Sequence, residues 1–435
     1  MNFDVQLPEG WSSKRLKYVA SHNDDVLSED TDELTEIDYV EISGVSLSGG
    51  IEEINRMRFF EAPSRARRKV RKDDILISTV RTYLKAIAAV GDASDDLVAS
   101  TGFCVVRSRG EADAGFLGWV AKSEPFVSEV VARSVGVSYP AINASELVNI
   151  NVPLPPFETQ RRIAQFLDEK TARIDALIEK KRTLLDRLGE KRQALITHAV
   201  TKGFNPDAPL KPSGVNWLGN VPAHWEVLPV KRVAKLESGH TPDKKIDAYW
   251  ENCDIPWVSL NDTAVLRSAD YISDTRVSIN ALGLANSSAR LLPPRAVVFT
   301  RDATIGESAI TTRSMAVSQH IIAWLCNEDR IVPEFLLLVI YGMTAELLRL
   351  TNGSTIGTIG LSDVKSIVVA LPPIKEQSEI VSATFDGKGK IAIVSNQIEA
   401  SISRLIEYRA ALITAAVTGK MQLEAMPREL ALGEI

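Results

Sequence analysis

Cysteine is scarce. Among 435 residues only Cys104, Cys253 and Cys326 occur, scattered and odd in number. That excludes a disulfide framework and fits a reducing cytoplasm, where the protein is expected to reside. The histidines at 22, 198, 224, 240 and 320 stand at no metal-ligand spacing. The longest strongly apolar run, Phe335 to Met343, falls far short of the roughly 20 residues that span a bilayer. The opening MNFDVQLPEGW has no basic stretch leading into an apolar one, so no signal peptide is expected. No G-x-x-x-x-G-K-[ST] phosphate loop occurs, and no strand runs into G-x-G-x-x-G. Asn-Val-Pro-Leu at 151–154 is not the Asn/Asp-Pro-Pro-aromatic tetrapeptide of amino-methyltransferases. Acid–lysine fragments such as Asp363-Val364-Lys365 read as solvated surface rather than a nuclease centre. The chain is therefore expected to have no active site of its own. Excess positive charge is also missing. Lys and Arg number 50 against 56 acidic residues, a net −6, which at face value argues against a protein that coats nucleic acid.

What is present begins with a repeat. Leu154-Pro155-Pro156-Phe157-Glu158-Thr159-Gln160 returns 217 residues later as Leu371-Pro372-Pro373-Ile374-Lys375-Glu376-Gln377. Leu195-Ile196-Thr197-His198-Ala199-Val200-Thr201 returns at the same offset as Leu412-Ile413-Thr414-Ala415-Ala416-Val417-Thr418. Gly136…Ile142 against Gly353…Ile359 keeps that offset, while Trp11 and Trp225 lie 214 apart. Several blocks at nearly one offset mark a tandem duplication. The stretch from Leu-Pro-Pro onward has kept one length, which suggests that distance matters there.

The front segments mix short strands with turns and helix. Asp73–Ser78, Arg295–Thr300, Val98-Ala99 with Phe103–Val106, and Ile321–Trp324 read as strands. Phe116–Ala132 and Glu334–Leu350 have helical apolar spacing. After each Leu-Pro-Pro, a proline-free stretch carries a seven-residue repeat. It comprises Ile174, Leu188 and Leu195, with Lys181 between them, and Ile391, Ile398, Leu405 and Leu412. Leu177 and Leu184 supply a neighbouring register. Such a repeat predicts helix packed on helix as a coiled coil, each about 40 residues and about 60 Å long. Two separate amphipathic core helices are the alternative. Gly387 and Gly389 predict a late start or a kink in the second helix. The boundaries expected are 1–153 and 221–370 for two mixed α/β globules, and 154–203 and 371–420 for helical spacers. A turn-rich connector covers 204–220 and a tail 421–435.

Charge is segregated along the chain. Residues 21–55 hold eleven acidic side chains and no Lys or Arg, and the remaining 400 residues sum to +5. Residues 56–72 hold Arg56, Arg58, Arg65, Arg67, Arg68, Lys69, Arg71 and Lys72 against Glu61 alone. Clustered arginine suits phosphate contact and guanine recognition, although a solvated loop paired with the acidic stretch would look the same. Other candidate DNA contacts are Arg81, Lys85, Lys244, Lys245, Arg267, Arg290 and Arg301. Ser138 and Tyr139 in one loop, and Ser354 and Thr355 in its counterpart, offer hydroxyls to phosphates or base edges, or are simply turns.

The duplicated Leu-Pro-Pro-x-x-x-Gln block leads into a long helix ending Leu-Ile-Thr-x-Ala-Val-Thr. With Ser213-Gly214-Val215-x-Trp217-Leu218-Gly219-x-Val221-Pro222-x-His224-Trp225, it resembles the specificity subunit of type I restriction–modification systems. The resemblance covers nearly the whole chain. It implies an α+β protein with two target-recognition domains, each reading half of a split DNA sequence. Two long helices, packed as an antiparallel coiled coil in a pseudo-two-fold repeat, would set the gap between half-sites. Two methyltransferase subunits would dock on the helices and methylate adenine N6 with the S-adenosylmethionine that those subunits bind, and restriction subunits would bring ATP and Mg. The chain itself would hold no cofactor and no metal. A coiled-coil adaptor that does not touch DNA, or a single-chain methyltransferase or nuclease, are the rival readings.

Overall fold

A computed structural model describes residues 7–352 and 357–421. The chain divides into two compact units, residues 1–182 with 399–435, and residues 183–398. Neither unit coincides with a sequence repeat. The two long helices, Phe157–Lys202 and Ile374–Val417, are each shared between the units.

In the first unit, a four-stranded sheet runs in the order Ala20–His22, Phe103–Ser108, Ile75–Ser78, Ile87–Ala89. A second sheet runs Asn55–Arg58, Glu36–Val40, Leu97–Ser100, Ala66–Lys69, its central pair parallel. Ile75, Leu76 and Ile77 are all buried, as expected of a strand covered on both faces. The core gathers Ile75, Ile77, Cys104 and Val106 with Phe116, Trp119 and Phe126. Ile163, Leu167 and Ile174 of the first long helix, and Leu412, Ile413 and Val417 of the second, complete it. The second unit repeats this plan. Its larger sheet runs Ala234–Ser238, Ile321–Cys326, Val297–Thr300, Ser308–Thr311, Tyr271–Ile272. The smaller runs Ser278–Ile279, Ile255–Val258, Ala316–Val317, again with a parallel pair. Its core joins Trp225, Phe299, Trp324 and Phe335 to Ile196, Ala199 and Val200 of the first long helix and Ile380 of the second.

The shared heptapeptide is a clamp. Gln160 is buried; its Oε1 accepts the Asp113 N–H at 2.8 Å, and its Nε2 donates to the carbonyls of Glu111 at 3.1 Å and Pro155 at 2.8 Å. Gln377 does the same with the Val332 N–H at 2.9 Å and the carbonyls of Arg330 at 2.9 Å and Pro372 at 2.8 Å. One side chain thereby fixes a helix start to the chain leading into the domain's own helical segment. At the other end each long helix is followed by a left-handed glycine, Gly203 (φ +68°) and Gly419 (φ +71°). These glycines lie against Trp225 and Trp11 respectively, which accounts for the matched tryptophans of the repeat.

Within the second unit the helices run antiparallel. Leu195 packs at Gly387, and Gly203, just past the end of the first helix, lies near Glu376, earlier in the second. Within the first unit Asp175 and Arg409 pair at 2.9 Å. The second helix is unbroken through Gly387 and Gly389, so the expected late start is corrected. A Cβ at Gly387 would lie 2.6 Å from Leu195 Cδ2, so the glycine makes room for the facing leucine. The heptad positions Ile174, Ile398 and Leu412 are buried, and Leu188, Leu195, Ile391 and Leu405 are partly so. The neighbouring register is corrected, because Leu177 and Leu184 are 43% and 46% exposed. At 100° per residue, Ile178 lies about 40° to one side of Ile174 and Leu177 about 60° to the other. The covered stripe follows buried Ile178, then half-buried Leu185.

The shorter helices are interrupted where single ones were expected. Ala114–Lys122 stops at Ser123 because Pro125 opens Glu124–Ala132 and cannot sit inside a continuous helix. Pro333–Gly342 ends where Gly342 presses on Thr197 and Val200 of the first long helix, and Thr344–Arg349 follows.

Candidate nucleic-acid interface

The basic cluster of the first unit is largely engaged. Arg56 pairs with Glu36 at 2.6 Å and lies 3.7 Å from Asp38. Arg65 pairs with Glu41 and Arg71 with Asp25, so three of these arginines meet the acidic stretch 21–55. Lys72 pairs with Asp92 at 3.0 Å, and Arg56 holds the Glu36 carboxyl below its ordinary range. Arg67 lies over the Phe59 ring at 4.9 Å, and Arg68 has a buried Nε without a hydrogen-bond partner. Arg58 and Lys69 are exposed and form no ion pair among the described residues. Exposed pairs of this kind exchange easily for phosphate contacts, since each is worth about 0–1 kcal/mol.

A second cluster lies where two loops meet. Val80 and Ala141 bridge, as do Val135 and Ala141, and Thr82 and Ser134 share a hydrogen bond at 2.7 Å. This places Arg81 over the Tyr139 ring at 4.8 Å, and the cation–aromatic contact restrains the guanidinium at the surface. Arg81 and Lys85 both take left-handed backbone, φ +49° and +54°, and Lys85 pairs with Glu124 at 3.3 Å. Around Arg81 stand exposed Tyr83, Leu84, Val135 and Ser138, and Val137 is fully exposed at 103%. Apolar side chains beside a cation suit thymine methyls and base edges. Tyr83, Val135 and Val137 escape sequence reasoning because an apolar residue in a loop gives no sign of whether it folds inward.

The second unit builds the same edge from different residues. Asp302 and Thr358 bridge as Val80 and Ala141 do, and Ala303 has the left-handed backbone (φ +61°) of Arg81. The Ile359 N–H donates to the Arg301 carbonyl at 2.9 Å, matching the Ile142 bond to Thr79, also 2.9 Å. Arg301 is therefore set at the loop junction, its side chain only 21% exposed, 3.6 Å from Asp302. Arg267 pairs with Glu307 at 2.7 Å and Arg290 with Glu237 at 2.9 Å, while Lys244 and Lys245 are exposed. Ser354 and Thr355 lie outside the described residues.

Burial pushes the thiols of Cys104 and Cys326 up to about 12, far from the thiolate that nucleophilic or metal chemistry needs. Among the described residues no cluster of three or more His, Cys, Asp or Glu could hold a metal ion. No helix among them is long and apolar enough to cross a membrane.

Residues 8–187 and 222–404 each match the family model of the type I restriction modification DNA specificity domain. The type I restriction enzyme MjaIX specificity subunit of Methanocaldococcus jannaschii is 29% identical over 167 residues, 38% of either chain. The HindI specificity subunit of Haemophilus influenzae is 22% identical over 423 residues, covering 83% of this chain and 89% of the relative. The matches to several curated relatives, MjaIX among them, span less than half of those relatives' lengths. A solved structure described as the structural basis underlying complex assembly and conformational transition of the type I R-M system superposes with a TM-score of 0.77 at 23% identity. It covers 96% of this chain and all of its own, and supports the fold. Two matches to one domain model, placed on two units of one plan, establish that the chain belongs to the type I restriction–modification specificity subunit family.

Proposed function

We propose that this chain recognises a split DNA sequence, one half-site per unit, and scaffolds the methyltransferase and restriction subunits of a type I complex without catalysing. The observation that carries this reading is the repeated loop edge, one backbone plan that bears Arg81 and Tyr139 in one unit and, with Ala303 at the place of Arg81, sets Arg301 there in the other. One scaffold with two side-chain sets suits two half-sites of different sequence. In this reading S-adenosylmethionine belongs to the methyltransferase subunit, ATP and Mg belong to the restriction subunit, and the complex works in the cytoplasm. Selection from a random-sequence duplex library by the full chain with its methyltransferase subunits is expected to enrich two fixed blocks separated by a constant gap. Arg81→Ala is expected to blur one block and spare the other. Enrichment of no sequence, or of a single continuous block, defeats the proposal.

The scaffolding role is supported by Leu177 and Val394, which stand 217 residues apart and are both 43% exposed. One apolar position per repeat suits two equivalent partner copies. Leu177→Glu with Val394→Glu is expected to reduce retention of the methyltransferase subunit at least tenfold while leaving helical circular dichroism unchanged. Undiminished co-purification would place docking elsewhere.

A further inference from the structure

We infer that Gln319 reads an adenine in the half-site of the second unit; this rests on the reading above and assigns a specificity-determining residue to it. At Gly239 a Cβ would lie 1.5 Å from the Val317 carbonyl oxygen. Only glycine lets the chain leaving Ala234–Ser238 lie flat on the end of Ala316–Val317. The Trp257 indole, donating to the His240 carbonyl at 3.2 Å, pins the same loop. This close approach carries Thr241 to Gln319, and its hydroxyl donates to Gln319 Oε1 at 2.5 Å.

The other side of the amide is fixed through a histidine. His320 Nδ1 lies 2.6 Å from Oδ2 of Asp302, which is buried, so the carboxylate keeps a proton on Nδ1. His320 Nε2 then offers its lone pair to Gln319 Nε2 at 3.1 Å. With a neutral imidazole the hydrogen bonds in the chain Thr241–Gln319–His320–Asp302 run in one sense, and turning the amide over against an imidazolium would engage the same count of donors and acceptors. The amide oxygen faces Thr241 and the amide nitrogen faces His320. A glutamine amide carries two N–H donors and two oxygen lone pairs, and this chain takes one of each. One donor and one acceptor remain side by side on an exposed residue. In the major groove that pair matches adenine, whose N7 accepts and N6 donates, and mismatches guanine, which offers two acceptors. Lys244 and Lys245, on the loop that brings Thr241, are exposed and placed for the flanking phosphates. Gln319 is a base reader here, and Thr241, His320 and Asp302 are positioning residues.

The test uses the full chain co-purified with its methyltransferase subunits and a library of duplexes carrying a randomised segment. The wild-type complex is expected to enrich a split motif with adenine at a fixed position of one half. Gln319→Ala is expected to lower the adenine preference there by about tenfold or more and leave the other half-site unchanged. Gln319→Arg is expected to turn the preference at that position to guanine, because arginine donates to N7 and O6. Thr241→Val, which frees the amide to rotate, is expected to give a smaller loss at the same position. An unchanged motif for Gln319→Ala and Gln319→Arg overturns the assignment. So does a uniform loss across all positions, which marks a structural role. A wild-type complex that enriches nothing defeats the proposed function instead, so the two failures are distinct.

Discussion

Inserting one heptad after Leu184 and another after its counterpart Ser401 is expected to lengthen the gap between the half-sites by about three base pairs. Both half-sites should stay unchanged. Seven residues add about 10 Å of helix, and base pairs rise by 3.4 Å. A heptad restores the side-chain stripe after nearly two whole turns, so Ile174, Ile178 and Leu188 would keep their facing. The insertion points lie within three residues of the divisions at 182 and 398, so each unit's core stays whole. Insertion of four residues would add about 6 Å and turn the following helix by about 40°, and is expected to lengthen the gap by less than the heptad does. The measurement is mapping of N6-methyladenine in cells carrying the variant complex. Altered half-sites with an unchanged gap would defeat the idea that helix length sets the spacing.

Gln377→Leu is expected to cost the second unit about 3–6 kcal/mol, and Gln160→Leu the first a similar amount. Leucine fills most of the volume but leaves the Val332 N–H and the carbonyls of Arg330 and Pro372 without their partner. An unsatisfied buried polar group costs about 1–3 kcal/mol. Thermal unfolding of the full chain should show one transition lowered by about 10 °C in each single variant. Gln377→Glu tests the chemistry, since a carboxylate accepts from the Val332 N–H yet donates to neither carbonyl. It is expected to destabilise at least as much as leucine. A shift below 1 °C in Gln377→Leu would show that the clamp contributes little.

The duplication, the long helices and the buried heptad positions were all legible in the sequence, because each leaves a periodic or repeated trace. The side of the helix that is covered was not. Leu177 and Ile178 are equally apolar neighbours, and only the partner's position decides between them. The basic run 56–72 was visible as charge, yet its pairing with Glu36, Glu41 and Asp25 follows from strand placement that composition does not carry. Gln319 was silent for a related reason. Its orientation depends on Thr241, 78 positions earlier, and on Asp302 acting through His320. Glycines proved more informative than expected, since Gly387, read as a weakness of the helix, is the seat for Leu195.

The sequence repeat and the folding unit are out of phase by half a helix. The trailing end of the first long helix, Ile196, Ala199 and Val200, is core to the second unit, and that of the second, Leu412, Ile413 and Val417, is core to the first. A protein made of one repeat alone would hold a domain missing a wall and a helix end missing a home. Both vacancies close when two such chains exchange their helix ends. Joining the two repeats in one chain supplies both helix ends to the domains that need them.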